Sequence, residues 1–209
     1  MPIGNDVVDL RDPENQPEAI HVRWDSRVFT REELGELAAA SSPHRTRWEM
    51  WAAKESAFKA AKRIDPRLSF HPSAFSVELH DLAAARVDHA VGRFEVQLEV
   101  TPEYVHAVAT LEGSPTASSK VGSLEGDSSA SAQVRDLARL AVGSMPDVEP
   151  SQVEISRAGV PVVSIGGVVL PVELSLSHHG RFLACAWLWP ERGDASGRSA
   201  ASPSGGAST

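Results

Sequence analysis

The chain has 209 residues, 42% hydrophobic and 23% charged, with a formal net charge of −8 at pH 7. This is ordinary globular composition for one large domain or two small ones, and the acidic balance argues against a nucleic-acid coat, which needs a basic face. A mean hydropathy of −0.19 with no apolar run near about 20 residues excludes a membrane-spanning helix, and a single cysteine, Cys185, excludes an internal disulfide or a multi-cysteine zinc site.

The opening PIGNDVVDL reads as a strand, with no leader of a basic start and an apolar run, so the cytoplasm is the expected compartment. Thr30 to Glu33 forms a capping box before Leu34 and Leu37, which predicts a short helix. Ser42-Pro43 starts a second helix, expected to run to about Arg63 and to stop at Asp65-Pro66. Residues 74–79, 94–100 and 105–111 alternate as strands do. Residues 113–131, rich in Ser and Gly, read as a flexible linker, and residues 191–209 as a disordered tail. Between them come a helix over 132–144, with Val134, Leu137 and Leu140 or Ala141 on one stripe, and strands at 153–156 and 161–165. A tight Gly166-Gly167 turn then leads into VVLPVELSLS, and a last strand spans 183–189. The pattern is α+β, with a first lobe over 1–112 and a second over 132–190, each a helix with three or four strands.

Four features carry candidate chemistry. Helical spacing puts Trp48, Trp51, Glu55, Phe58, Lys59 and Lys62 within one stripe, so a carboxylate interrupts an apolar face. Glu55 is either the partner of Lys59 in an i,i+4 pair or a metal ligand, with Lys59 and Lys62 facing a phosphate. Strand alternation puts Asp6 with Gly4 and Val8, a second carboxylate on an apolar side, and Asp9 on the opposite face. Asp6 either caps nearby backbone N–H groups or joins Glu55 in a site for Mg²⁺, which takes one or two carboxylates and completes its shell with water and phosphates. In SLSHHGRF, His178 is either a satisfied core histidine or, with Ser177 and Arg181, a phosphate contact. Residues 45–67 carry seven Lys or Arg against three acids, which reads as a helix of paired charges or as a surface for an acidic partner. No G-x-S-x-G elbow, G-x-x-x-x-G-K-[ST] loop or G-x-G-x-x-G turn is present.

These pieces in this order resemble the 4′-phosphopantetheinyl transferases. GNDVVDL looks like the family's Gly-hydrophobic-Asp motif, RVFTREEL like the segment after it, and WAAKESAFKAAK like its W/F-x-x-K-E-A/S-x-x-x-K helix. SLSHHGRFLACAW resembles the S-x-S-H-S-G-R-W stretch of the larger type, but comes last here, as in the small holo-(acyl carrier protein) synthase type. The resemblance implies two similar lobes, each with a small antiparallel sheet and a long helix, related by a pseudo-twofold and working as a monomer. It also implies transfer of the 4′-phosphopantetheine moiety of coenzyme A to a serine of an apo acyl, peptidyl or polyketide carrier protein, in fatty acid or polyketide biosynthesis. Adenosine 3′,5′-bisphosphate would be released. Asp6 and Glu55 would hold Mg²⁺ (or Mn²⁺), and Glu55 would act as base. Lys59, Lys62, Ser177, His178 and Arg181 would contact coenzyme A, with no nucleic acid or membrane involved. Departures are Asn5 for the usual hydrophobic residue, Val8 for a second acid and Val160 for a phosphate-binding lysine, with Arg157 as the candidate substitute. They leave a second reading, a non-catalytic homologue that binds coenzyme A or a carrier protein.

Overall fold

The computed structural model describes residues 1–80, 83–126, 128–144, 148–156 and 159–190. Strand β1 (Ile3–Asp9) is followed by helices α1 (Asp25–Val28), α2 (Arg31–Ala39) and α3 (Pro43–Ile64). Strands β2 (Ser76–Leu79), β3 (Ala84–His89), β4 (Gly92–Val100) and β5 (Tyr104–Leu111) complete an antiparallel sheet in the order β1-β5-β4-β3-β2. The rest comprises β6 (Ser118–Ser123), α4 (Ala130–Val142), β7 (Val153–Ile155), β8 (Val163–Ile165), β9 (Val168–Val169), β10 (Glu173–His179) and β11 (Phe182–Leu188). These strands form two antiparallel sheets, β10-β11-β6 and β7-β8-β9. The protein is thus a mixed α and β fold with antiparallel sheets, and among its described residues no helix is long and apolar enough to cross a membrane.

Local chemistry accounts for the boundaries. The capping box forms: Glu33 N–H donates to Thr30 Oγ1 and Thr30 N–H to Glu33 Oε2, at 3.2 and 2.7 Å. Pro43 opens α3 and Asp65-Pro66 follows its last turn. Gly166 and Gly167 both have positive φ, the backbone that a two-residue hairpin turn needs. Pro171 separates β9 from β10, so the apolar run 168–177 is not one strand.

Three expectations change. Residues 118–123, expected within a flexible linker, form β6, held by backbone pairing to β11 from Ser118↔Trp187 to Ser123↔Phe182. An edge strand half open to water needs no apolar alternation, so SSKVGS carries none. The segment 84–89 is also a strand; only Ala85 and Val87 point inward, too few to register as a pattern. Leu140 lies outside the buried face of α4, which is made by Val134, Ala138, Ala141 and Val142. The expected tail at 191–209 lies outside the described residues.

The main core lies between α3 and the five-stranded sheet, with Ala52, Ala53, Ala57, Ala60 and Ala61 facing Val87, Phe94, Val96 and Val105. Small residues let the helix lie close. Closest of all is Gly4: a Cβ there would sit 2.0 Å from Ser56 O and 2.6 Å from Ala60 N, so no larger residue fits between β1 and α3. A second core packs α4 against β7, β8 and β10. Val7 with Phe182 and Ala184, and Ile3 and Val108 with Ala186 and Leu188, join the two.

One ion pair is wholly inside. Lys54 Nζ donates to Glu33 Oε1 at 2.9 Å and to the carbonyls of Pro72 and Phe75, while Glu33 also accepts from Val77 N–H. Burial pulls the Lys54 ammonium below its usual pKa, against the pull of Glu33. Lys54→Met leaves Glu33 charged and without its cation, and is expected to lower unfolding free energy by about 3–5 kcal/mol in urea titration; a second change of Glu33 to Met should restore part of that loss.

Candidate active site

β1 is buried along its whole length although it carries Asn5, Asp6 and Asp9. Period-2 alternation sends Gly4, Asp6 and Val8 toward α3, and Asn5 and Asp9 toward β10. β1 and β10 are edge strands of their sheets and pack against each other. Side chains replace the ladder there: Asn5 N–H donates to Ser175 Oγ at 2.9 Å and Asp9 N–H to His179 Nδ1 at 3.2 Å.

On the α3 side, Asp6 meets Lys59. Lys59 Nζ donates to Asp6 Oδ1 at 2.8 Å and to the Asn5 carbonyl at 2.9 Å, and lies 3.9 Å from Glu55 Oε2. Of the line Trp48, Trp51, Glu55, Phe58, Lys59 and Lys62, Trp48 is buried and Trp51 and Phe58 pack against the core, while the remaining buried face of α3 is alanine-rich. The line runs along the edge of that face and borders two clefts. The first, about 660 Å³, is lined by Asp6, Glu55, Lys59 and His178, with Trp24, Trp48 and Trp51 forming an aromatic wall. The second, about 680 Å³, is lined by Phe58, Lys62, Pro161, Ser175 and Leu176, and Lys59 is common to both.

Glu55 is the perturbed group. Burial, and then the charge of Asp6, push its carboxyl up to about 7, against the opposing pull of Lys59. A carboxyl whose ionisation a neighbouring carboxylate disfavours is suited to a cation, and Lys59 supplies part of that charge in the protein alone. Asp6 and Glu55 match the one or two carboxylates a Mg²⁺ ion takes from a protein. Among the described residues no group of three or more His, Cys, Asp or Glu is placed to hold a metal, so most of the coordination shell would come from water and phosphate oxygens.

The structure does not bring the other expected residues to the clefts in the same way. Lys62 lines the second cleft and its Nζ lies 5.5 Å from the centre of the Phe58 ring. Ser177 is buried and accepts from Asn5 Nδ2 at 3.0 Å. Arg181 lines neither cleft; its guanidinium grips Asp9 in a fork, Nε–Oδ2 2.8 Å and Nη2–Oδ1 2.7 Å. That grip, with the backbone N–H groups of Arg11 and Arg181, also commits Asp9 away from any metal. Arg157 lies outside the described residues. Of the seven cations in 45–67, all but Lys62 sit in ion pairs, so the paired-charge reading of that stretch describes it better than an open basic face.

Sequence reasoning missed Asn5, His106, Ser175 and the pair Glu33–Lys54. Lys54 stood inside the quoted helix motif and Glu33 at the capping-box position, but nothing local tells that the two meet. His106 follows Val105 on β5 opposite Val7 and is buried against Asn5.

The Asp9–Arg181 fork has a definite pH signature. Desolvation raises the Asp9 pKa, but the hydrogen bonds and charge of Arg181 outweigh it and hold the carboxyl at about 2 rather than 3.8. A lowered folded pKa contributes stability that is present above about 4 and lost as pH falls toward about 2. Asp9→Asn is therefore expected to be less stable than the parent at pH 6, with the gap narrowing as urea titrations are repeated from pH 5 down to pH 3.

The comparisons with known proteins follow the same line. The sequence profile of the 4′-phosphopantetheinyl transferase superfamily matches residues 2–109. Solved structures similar to this chain include holo-(acyl-carrier-protein) synthase from Neisseria meningitidis, at 19% identity and a TM-score of 0.44, covering 53% of this chain and 97% of that one. The holo-(acyl-carrier-protein) synthase of Thermotoga maritima matches at 15% identity and a TM-score of 0.42, covering 80% of this chain and 84% of that one. No curated protein sequence matches. The profile match takes in more than half of the chain, from β1 through α3 to β5, and with it both cleft carboxylates: the chain belongs to the 4′-phosphopantetheinyl transferase superfamily.

Proposed function

We propose that the protein transfers the 4′-phosphopantetheine moiety of coenzyme A to a serine of an apo carrier protein and releases adenosine 3′,5′-bisphosphate. The observation that carries this reading is the meeting of Asp6, Glu55 and Lys59 with His178 of β10 on one cleft, in a chain of this superfamily. The two clefts joined at Lys59 suit a long ligand with anionic groups at its middle. Phosphoryl transfer asks a protein mainly for positioning and charge neutralisation.

In this reading the carrier serine Oγ attacks the phosphorus next to the pantetheine arm. A new P–O bond forms, and the bond from that phosphorus to the bridging oxygen breaks. Glu55, directly or through one water, takes the serine proton; a carboxylate raised to about 7 is a better base than an ordinary one, and about half of it is ionised at neutral pH. Lys59, 2.8 Å from Asp6, is within reach of a phosphate oxygen entering the cleft. His178, exposed at the end of β10, contacts the ligand from the opposite wall. Arg181, through Asp9, fixes the turn that follows His178 and His179; Gly180 has φ of +52°, and a Cβ there would sit 2.6 Å from Asp9 Oδ2. A Mg²⁺ ion held by Asp6 and Glu55 supplies charge neutralisation on the pyrophosphate when bound. All these residues come from one chain, so the proposed working unit is a monomer, and the cytoplasm is its proposed compartment. Acyl, peptidyl and polyketide carriers are the candidate acceptors.

The test is intact mass after incubation with apo carrier proteins of each kind, coenzyme A and Mg²⁺. A gain of one phosphopantetheine, lost with EDTA and reduced about 10²–10⁴-fold in Glu55→Gln, supports the reading. Coenzyme A binding without any gain on any carrier favours a non-catalytic homologue instead. Because Glu55 must be ionised to act, the rate at subsaturating Mg²⁺ is expected to rise with pH through about 7, where it reaches half its plateau, and to level off about one pH unit higher.

A further inference from the structure

The segment that carries β8 and β9 turns valine to water. Val160, Val162, Val168 and Val169 are 52%, 43%, 68% and 63% exposed. Three of them, Val160, Val162 and Val169, line a groove of about 340 Å³ together with Met1, Pro171 and Pro190. The one acidic or basic side chain in its lining is Glu173, which is already paired with Arg63 and with the terminal amine of Met1. The sequence sets the same region apart: from Gly159 to Val172 it has no Asp, Glu, Lys, Arg or His, in a chain 23% charged.

β9 is an edge strand of its sheet. Edge strands that face water ordinarily carry charge, lysine above all. Here the edge is valine, and Pro171 follows two residues after β9 begins to close it off, so the backbone offers little to pair with and the side chains carry any contact. A contiguous exposed apolar patch marks a surface that something covers. The chain beyond Pro190 does not supply the cover, because residues 191–209 hold no apolar side chain larger than Pro. An acidic partner does not fit either, since the only charges at the groove are the paired ones. A second copy of the chain does. Near a twofold axis a charged group faces its own like charge, so a patch that closes on itself has to be nearly free of charge. This patch is, in a protein whose net charge of −8 makes the rest of its surface repel its copy.

We propose that the valine surface of the β8–β9 segment is a self-association interface, on which two copies close about a twofold axis with Val160, Val162, Val168 and Val169 against their counterparts. Asp6, Glu55, Lys59 and His178 line another cleft, so each copy keeps its own catalytic residues and the dimer is a pair of independent working units. The proposal does not depend on the transferase reading.

The experiment is sedimentation equilibrium of the full chain over about 1–200 µM. The mass is expected to rise from 22.3 kDa toward twice that value, with a Kd on the order of 10 µM. Salt screens the repulsion between two acidic copies and has no ion pair to weaken at the interface, so raising NaCl from about 50 to 300 mM should tighten the Kd several-fold. Val168 and Val169 line neither of the two larger clefts. Val168→Lys with Val169→Lys, at open positions of an edge strand, is expected to keep the parent's circular dichroism and to stay at 22.3 kDa at every concentration. Val168→Glu with Val169→Glu should do the same, and an equimolar mixture of the two should dimerise again. If the charged pairs fail to fold, Val169→Thr, close to valine in shape, decides by weakening the Kd about tenfold. A mass of 22.3 kDa throughout for the parent, a trimer or an open-ended assembly, a Kd that weakens with salt, or a dimer that survives the lysine pair overturns the proposal.

Discussion

A strand with no water on either side can carry three polar side chains only if each is given a partner, because an unpaired buried polar group costs more than most single contacts return. β1 is that strand. Asp6 is answered by Lys59 from α3, Asp9 by Arg181 from the β10–β11 turn, and the Asn5 amide N–H by Ser177 of β10, its Oδ1 alone having no partner among the described residues. Each answer fixes a neighbouring element against β1. The polar groups of this strand therefore do two things: they hold the β5, α3 and β10 layers in register, and they set the walls of the clefts.

Lys59 shows how closely structure and chemistry overlap at this point. It is the cation of a carboxylate pair, the donor to a β1 carbonyl, and the ridge between two clefts. A protein of net charge −8 places this cation against two of its carboxylates, Asp6 and Glu55. Elsewhere in the basic stretch the charges serve the fold: Lys54 inside with Glu33, Arg63 with Glu173 and the Leu174 carbonyl. The exposed pairs, such as Arg67 with Asp65, contribute little.

What could be read from the sequence was what short-range chemistry dictates. The capping box at Thr30 and Glu33, the Ser42-Pro43 start, the Asp65-Pro66 stop and the Gly166-Gly167 turn are each decided within four residues, and each element stands where these signals put it. The face of Asp6 followed from alternation for the same reason. What could not be read was decided by distant partners. β6 exists because β11 offers a free edge 60 or so residues later in the chain. The part of α3 that meets β1 is built of small residues because Gly4 lets the strand come within touching distance, while Trp48 and Met50 fill the core further along and Trp51 and Phe58 border both core and cleft. Glu33 gave its capping-box role away, but not its second role with Lys54, which depends on a loop 40 residues further on.

The fork between Asp9 and Arg181 joins residues 172 positions apart in the chain. Most contacts of the five-stranded sheet lie between successive hairpins and close short loops, whereas this one closes nearly the whole polypeptide, with the entropy cost that long loops carry. During synthesis, the sheet and α3 are complete before β10 and β11 have left the ribosome. The cleft walls on the β1 side therefore wait, with Asp6 and Lys59 in place and the edge of β1 uncovered, until the last strands arrive. An emerging chain holds its carboxylates before it holds its second wall, so the site comes into being in the closing step of folding, together with the burial of β1.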